Sequence, residues 1–392
     1  MIYFIYFLIV VTFIDTFSQL PIISPYAQEL GASALLIGLI IGIYSFTNII
    51  GNIISGYYID QKGIKKIVSL GLMVTGIILI TYSFAETPTQ LFVVRFFHGL
   101  SGGLLVPAAF TYLSNKDPGE KKGKIMAFSG ACVGIASIIG PAYGGIMKET
   151  LGINFVFSSI GILMIIMSII SYFILPEVQR SHEKKNTKTS GITIELIKRP
   201  LLIYGYVGAF SLMFSQGILA YMLPLKVEIL GFDSSLSGVL MSTFAIVSTA
   251  IFILPTNRLY DKVPYSITMI IGLFILSISL FALEFIVARS LLYIIMGLYG
   301  VGFALIFPSM SALVAKNSNV NERGKAYGLF YGFFSFGVIA GALMTGLFTD
   351  VFSPFLIGAI VLFINSSLLL IFKDLKVVQD TNYLSVKRAS QK

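Results

Sequence analysis

The chain has 392 residues, a formal net charge of +9 and only 11% charged residues against 56% hydrophobic ones, with a mean hydropathy of +0.90. A soluble protein of this size could not hide so much apolar surface, and the composition points to repeated membrane helices. The positive balance does not indicate a nucleic-acid partner, because the basic residues sit in the short polar breaks between apolar runs.

Twelve spans are predicted, at about residues 3–26, 35–57, 66–84, 90–114, 125–147, 153–175, 201–225, 236–257, 265–287, 290–315, 325–347 and 353–373. The fold class is therefore an all-α membrane protein built from two six-helix bundles. The first run has no basic n-region and no small-residue cleavage site, so it reads as a retained span. Residues 1–175 form the first bundle, 176–200 a polar linker, 201–373 the second bundle and 374–392 a tail. Cys132 is the only cysteine, so no intrachain disulfide can form.

The even-numbered loops, the linker and the tail together hold 23 of the Lys and Arg residues. The odd-numbered loops hold Lys148, Lys226 and Arg289. By the positive-inside rule both termini are expected in the cytoplasm of a multi-pass cell-membrane protein.

The two halves are related by an internal repeat. A shift of 201 positions aligns Asp60 with Asp261, Gly99 with Gly300, Pro107 with Pro308, Gly140 with Gly341 and Gly145 with Gly346. Upstream the shift is 200 and aligns Leu30-Gly31 with Leu230-Gly231 and Gly38 with Gly238. Six spans separate the copies, so the repeat is parallel, and a binding site is expected between the halves near the midplane.

The charged positions break this symmetry. Asp15 lies in the first span and corresponds to Ser215; Arg95 and His98 lie in the fourth and correspond to Met296 and Tyr299. Arg95, His98, Gly99 and Gly102 follow one helical face. A basic side chain at mid-helix costs roughly 2.5–3.5 kcal/mol on insertion scales, so Arg95 must face protein or a wet cavity. Asp15 and Arg95 are expected to share a polar site, as a proton-coupling pair tuned by His98 or as a structural ion pair.

After the second span comes Gly56-Tyr-Tyr-Ile-Asp60-Gln-Lys-Gly63-Ile-Lys65-Lys66, echoed by Asp261 in the second half. A carboxylate at such a helix end can pair with a neighbouring helix N-terminus. The fifth span carries Gly130, Gly134, Gly140-Pro141 and Gly144-Gly145. Glycines at these spacings allow close helix packing, and the proline allows a kink.

At these motifs the chain resembles the major facilitator superfamily. Gly56, Asp60, Gly63 and Lys65 match the family's loop motif, with Gln61 and Ile64 at its arginine positions. Arg95-Phe-Phe-His98-Gly99 is similar to the family's Arg-x-x-Gln-Gly motif. The fifth-span glycines and Pro141 resemble the motif of its twelve-span drug/proton antiporters. The resemblance implies alternating access, protons and a small amphipathic or drug-like molecule as partners, export as direction and action as a monomer in the lipid bilayer. A proton-coupled nutrient importer and a lipid-precursor flippase remain the alternatives.

Candidate cavity residues are Gln19, Phe96, Phe128, Ser215, Gln216, Tyr299, Tyr327 and Tyr331. No Gly-x-x-x-x-Gly-Lys-Ser/Thr loop occurs, so an ion gradient is the expected energy source. No cofactor, metal or nucleic acid is expected. With only His98 and His182 the chain lacks the ligand cluster of a membrane enzyme.

Overall fold

A computed structural model describes residues 2–116, 122–176, 195–253, 263–319 and 322–389, with backbone alone at 60, 62, 114–116, 122–127 and 372–389. Every regular element among the described residues is helical. Among the described residues eleven helices are long and apolar enough to cross a membrane, and a bent pair supplies a twelfth span.

Span 1 is the bent pair, Ile2–Ser18 and Ile23–Glu29, turning by 44°. Pro21 has no N–H to donate, so the regular ladder cannot pass through it. Leu20 N instead bonds Phe17 O at 3.3 Å, and the Ile22 and Ile23 amides converge on Gln19 O at 3.2 and 3.0 Å. The related span 7, Pro200–Ile229, has Tyr221 at this repeat position and runs unbroken for 30 residues.

Span 2 is Ala34–Lys62, with Ser33 as N-cap accepting from Leu36 N at 3.4 Å. Gly63, at φ +82°, makes the turn into span 3, Ile64–Thr81. Its left-handed backbone favours glycine there. A short 3₁₀ turn, Tyr82–Phe84, follows. Span 4 joins Pro88–Gly102 to Leu105–Lys116 and starts in a capping box of Thr87 and Gln90. Spans 5 and 6 are Lys122–Leu151 and Ile153–Ile174. Spans 8 to 11 are Ser234–Ile253, Tyr265–Phe285, Arg289–Lys316 and Arg323–Phe348, and span 12 is the Pro354–Ile371 part of the helix Pro354–Ala389. Most of the predicted linker, residues 177–194, lies outside the described residues.

Two hydrophobic cores follow the halves. One gathers Leu8, Ile40, Leu72, Tyr82 and Phe157 from the first six spans. The other gathers Tyr206, Leu240, Leu273, Tyr299 and Phe355 from the last six. Between them, span 5 packs on span 8 and span 2 on span 11.

Those crossings use small residues in matched positions. A Cβ on Gly38 would lie 2.5 Å from Ala342 O, and one on Gly238 would overlap the Pro141 carbonyl. A Cβ on Gly346 would lie 2.5 Å from Ala34 O, and one on Gly145 2.8 Å from Ser234 O. These contacts all lie toward the face opposite the termini. Polar contacts join them there. Lys148 pairs with Glu29 at 2.9 Å and with Glu228 of the other half at 3.3 Å. Glu149 Oε2 accepts from the Ser234 N–H at 3.1 Å and its hydroxyl at 2.9 Å, and Tyr221 OH donates to Ala34 O at 2.7 Å. Toward the termini face the halves part. Cβ atoms on Gly56, Gly130, Gly324, Gly328 or Gly332 would meet nothing within 4 Å. Among the described residues the close crossings between the halves lie at the face opposite the termini, and these five glycines toward the termini face take no part in one.

Candidate functional site

The charged residues of spans 1 and 4 meet inside the first bundle. Asp15 is 1% exposed, His98 0% and Arg95 6%, so the site is closed to solvent in this state. His98 Nε2 lies 3.0 Å from Asp15 Oδ2. The imidazole is held from its other side, where Nδ1 lies 2.9 Å from the Tyr82 hydroxyl. Tyr82 stacks on Phe157 of span 6, with centroids 4.2 Å apart. Tyr26 OH donates to Tyr82 O and Ala85 O at 3.0 and 3.1 Å, which ties down the 3₁₀ turn that carries Tyr82.

The structure separates Arg95 from Asp15 by one side chain. Gln19 Nε2 donates to Asp15 Oδ1 at 2.8 Å, and Gln19 Oε1 accepts from Arg95 Nη1. The expected pairing of Asp15 with Arg95 is therefore bridged, and the carboxylate's direct side-chain partners are Gln19 and His98. Arg95 Nε also donates to Ile40 O at 3.3 Å, and the guanidinium lies 4.5 Å from the centroid of the Tyr44 ring. A planar cation with several donors suits this mixture of carbonyl, amide and ring face.

Span 2 reaches the network because span 4 is small where they cross. A Cβ on Gly99 would overlap Thr47 Oγ1 and the Tyr44 carbonyl. Tyr44 then sits edge-on to His98 at 5.1 Å, and its hydroxyl lies 3.2 Å from Thr16 Oγ1. Gly102 meets the Tyr44 hydroxyl as well, so the predicted glycine face of span 4 is the face turned to span 2.

The fifth-span motif lies next to this network, at the sealed face. A Cβ on Gly140 would stand 2.8 Å from Phe17 Cβ, and one on Gly144 would overlap the Ser18 carbonyl. Gly140 and Gly144 thus receive the end of the first segment of span 1. Pro141 and Gly145 receive Gly238 of span 8, across the halves. Gly134 meets Thr249 at 3.4 Å, and Gly130 has nothing nearby. The motif's close contacts run from Gly140 to Gly145.

Other candidates fall elsewhere. Gln19, Ser215 and Tyr299, read as cavity lining, are out of solvent's reach at 2%, 0% and 0% exposure. Gln19 belongs to the charged network, and Ser215 Oγ meets Tyr299 OH at 2.7 Å within the second bundle. Phe128 and Tyr331 are 52% and 59% exposed. Tyr327 stands 6.4 Å from Tyr331 and bonds with Ser311, and Phe96 packs edge-on to Phe97. Gln216 Nε2 is buried without a partner. Gly56 lies within the helix of span 2, which runs on to Lys62, so of the predicted loop only Gly63 makes the turn, and Lys65 lies over the Tyr172 ring at 5.1 Å. The Asp60 side chain and all of Asp261 lie outside the described residues. Among the described residues, no group of His, Cys, Asp and Glu is placed to hold a metal.

Tyr44, Tyr82 and Gln19 were the members of this network that sequence reasoning missed or misplaced. Gln19 carried one usable signal, its position one helical turn beyond Asp15 on the same face.

The family model described as Major Facilitator Superfamily matches residues 5–247 and again 205–385. An uncharacterized MFS-type transporter of Methanocaldococcus jannaschii is 27% identical over 84% of this chain and 86% of its own. Multidrug resistance protein 1 of Bacillus subtilis is 24% identical over 90% of this chain and 91% of its own. Quinolone resistance protein NorA of Staphylococcus aureus is 26% identical over 48% of this chain and 47% of its own. Among solved structures, a bacterial homolog to the human lysosomal transporter Spinster, inward-facing and occupied, superposes with a TM-score of 0.78 at 13% identity. That match covers 94% of this chain and 95% of the other.

Proposed function

The chain belongs to the Major Facilitator Superfamily and is a multi-pass membrane transporter, and from that premise we propose that it exports small amphipathic compounds in exchange for protons. One observation carries the reading. The buried carboxylate of Asp15 bonds a titratable imidazole at 3.0 Å, in a pocket whose repeat counterpart is the neutral pair Ser215 and Tyr299. A group that can gain and lose a proton sits beside the seal between the halves, and only one half has it. Intramembrane charges of this kind mark ion paths.

The mechanism follows from the geometry. With the termini in the cytoplasm, as the distribution of Lys and Arg implies, the sealed face is external and the gap opens inward. Substrate enters that gap between spans 2, 5, 8 and 11, against exposed Phe128 and Tyr331. Ionised Asp15 holds His98 and Gln19 as hydrogen-bond acceptor. With substrate bound the halves rock about the midplane and the outer seal opens. Uptake of one proton from outside then turns the carboxylate into a part-time donor and removes the charge that this network is built to satisfy, and substrate leaves before the halves rock back. Release of that proton inward resets the cycle. The relatives named for multidrug and quinolone resistance support export of drug-like molecules, and Gly140-Pro141 at the seal supports the same direction.

Reconstitution into proteoliposomes tests this. An imposed pH gradient should drive accumulation of ethidium or a fluoroquinolone, and adding either probe should release protons into a pH-sensitive dye. Asp15→Asn keeps the shape but stays neutral. It should lose gradient-driven accumulation and keep downhill exchange. Undiminished uphill transport by Asp15→Asn would remove the proposed coupling site. A cysteine at exposed Leu151 should react with an impermeant reagent outside intact cells, and failure there would invert the orientation.

A further inference from the structure

Gln19 has a place that neither a packing role nor a substrate-cavity role explains. Its amide is 2% exposed and stands between a cation and an anion. A guanidinium can only donate and an ionised carboxylate can only accept, so the amide has one allowed orientation: oxygen to Arg95, nitrogen to Asp15. The structure shows that orientation, with Nε2 at 2.8 Å from Asp15 Oδ1 and at 3.1 Å from Asp15 O. Ser18 Oγ also donates to Asp15 O, at 3.0 Å.

The backbone of the same residue is the hinge of span 1. Gln19 is the first residue beyond Ile2–Ser18, and its carbonyl accepts both Ile22 N and Ile23 N, which begin the second segment. The residues around it form the outer seal. Phe17 and Ser18 fill the spaces left by Gly140 and Gly144. Pro21 O accepts from Ser237 Oγ of span 8 at 3.5 Å, and Ser24 Oγ donates to Ala220 O of span 7 at 3.4 Å. Leu20 packs against the core of the other half.

We infer that Gln19 is a positioning residue that links the proton on Asp15 to the break in span 1 and through it to the outer seal. This rests on the proposed role of Asp15. The step takes one proton from water onto the carboxylate and breaks no other covalent bond. A neutral carboxyl with its proton on Oδ1 presents an O–H to Gln19, and the amide can accept it only by rotating. Rotation turns the amide nitrogen toward Arg95, donor against donor, and leaves Arg95 with Ile40 O and the Tyr44 ring. A proton on Asp15 Oδ1 and the hold on Arg95 are thus exclusive of each other through one side chain. That side chain is anchored on the hinge, so the conflict is relieved by moving the hinge.

The other charged and titratable groups that face Asp15 are fixed by their own elements. Span 4 brings Arg95 and His98, span 2 brings Tyr44, and the end of span 3 brings Tyr82; both tyrosines interact with the Asp15 and Arg95 charges. Span 5 contributes glycines at this level. Its Tyr143 hydroxyl is engaged with Ser159 of span 6, and its Lys148 with Glu29 and Glu228.

The test uses the full-length protein in proteoliposomes, with spin labels at Leu151 and Phe352, exposed repeat-related ends of the sealed face, and Cys132→Ser to leave only the two labels. Protons alone are the probe. The parent should convert from sealed to open as pH falls, and Asp15→Asn should not respond. Gln19→Leu installs the residue at the repeat position, Leu219, and removes a donor that favours the ionised carboxylate. Its conversion midpoint should move alkaline by about one pH unit, since a hydrogen bond to a charged group is worth about that much. Gln19→Glu keeps an acceptor for Arg95 but cannot donate to ionised Asp15; its midpoint should move the same way, and it serves if Gln19→Leu does not fold. A purely structural Gln19 would lower the yield or melting temperature and leave the midpoint unchanged in both variants, which overturns the inference while Asp15→Asn stays unresponsive. A normal pH response in Asp15→Asn would instead sink the coupling site itself.

Discussion

The two halves of the molecule place the same contacts around different chemistry. Gly99 of span 4 accepts Tyr44 against its Cα, and Gly300 of span 10 accepts Phe244 in the same way. Tyr44 then lies edge-on to His98 at 5.1 Å, and Phe244 edge-on to Tyr299 at 5.6 Å. Asp15 meets His98 at 3.0 Å where Ser215 meets Tyr299 at 2.7 Å. Met296 stands in the place of Arg95, Leu219 in that of Gln19 and Leu283 in that of Tyr82. The crossings are retained, and the polarity is confined to one side. The repeat supplies a pair of bundles that can rock on each other, and one bundle carries a charge network that can bias the motion. A twin site would dilute that bias, because two independent protonations would compete for one conformational change.

The contrast can be broken most severely at Arg95. Arg95→Met gives the first half the residue of the second. It leaves Gln19 Oε1 and Ile40 O without their donor. Removing one partner of a buried charged network costs about 3–5 kcal/mol. Gradient-driven uptake in proteoliposomes should fall to background. Arg95→Lys should fail nearly as badly, because an ammonium cannot reproduce the planar fork. Wild-type accumulation by Arg95→Met would show that the two halves are functionally alike.

The seal offers the next largest effect, and there the halves should behave alike. Gly145→Leu forces a side chain against Ser234 O at 2.8 Å, and Gly346→Leu does so against Ala34 O at 2.5 Å. Each should hold the sealed face apart and slow transport by about tenfold or more, while protein still reaches the membrane, as overpacking at a close helix crossing costs roughly 1–3 kcal/mol. Spin-label distances across Leu151 and Phe352 should lengthen in both. A defect in one half alone would mean that the crossings are not equivalent.

Single hydroxyls sharpen the comparison on a smaller scale. Tyr82→Phe removes the partner of His98 Nδ1. It should shift the pH profile of uptake and cut the rate several-fold, since a buried imidazole nitrogen left unsatisfied costs roughly 1–3 kcal/mol. Tyr299→Phe removes the partner of Ser215 in the second half and should change the rate by less than about twofold, with no shift in the profile. Equal effects of the two substitutions would undo the claim that only the first half senses protons.

The smallest effect is expected at the termini face of the second bundle, where Arg199 and Glu322 pair at the starts of spans 7 and 11. The Arg199 side-chain hydrogen bond holds the Glu322 carboxyl below its ordinary value. The pair's contribution is therefore complete above the ordinary carboxylate range and is lost only as pH falls through the lowered value. Thermal stability should not change through this pair between about pH 5 and 8. Glu322→Gln, which links two spans of one half, should leave the pH profile of uptake unaltered.

The charges were the easiest part of the site to find in the sequence. Asp15, Arg95 and His98 stand out because an ionisable group in an apolar run has no cheap alternative to a functional or paired setting. Tyr44 and Tyr82 do not stand out, as two among 20 tyrosines. Their roles depend on which side chain faces them across a helix crossing. Gln19 was visible as a polar residue near Asp15, but its neighbours Pro21 and Ser18 gave no sign that the hinge and the proton site share a residue.

Hydropathy, loop charge and the spacing of glycines determined by themselves that this is a twelve-span membrane protein with a parallel repeat and a one-sided charge pattern. Those features depend on local chemistry: the length needed to cross lipid, the side on which cations accumulate, and the places where a Cβ is missing. Tertiary structure alone decided that Gln19 separates Arg95 from Asp15, that Gly140 and Gly144 seat the end of span 1, and that the close crossings between the halves lie at the face opposite the termini. Such facts depend on how rigid helices cross at a distance, and helical periodicity gives a residue's face but not the partner that meets it.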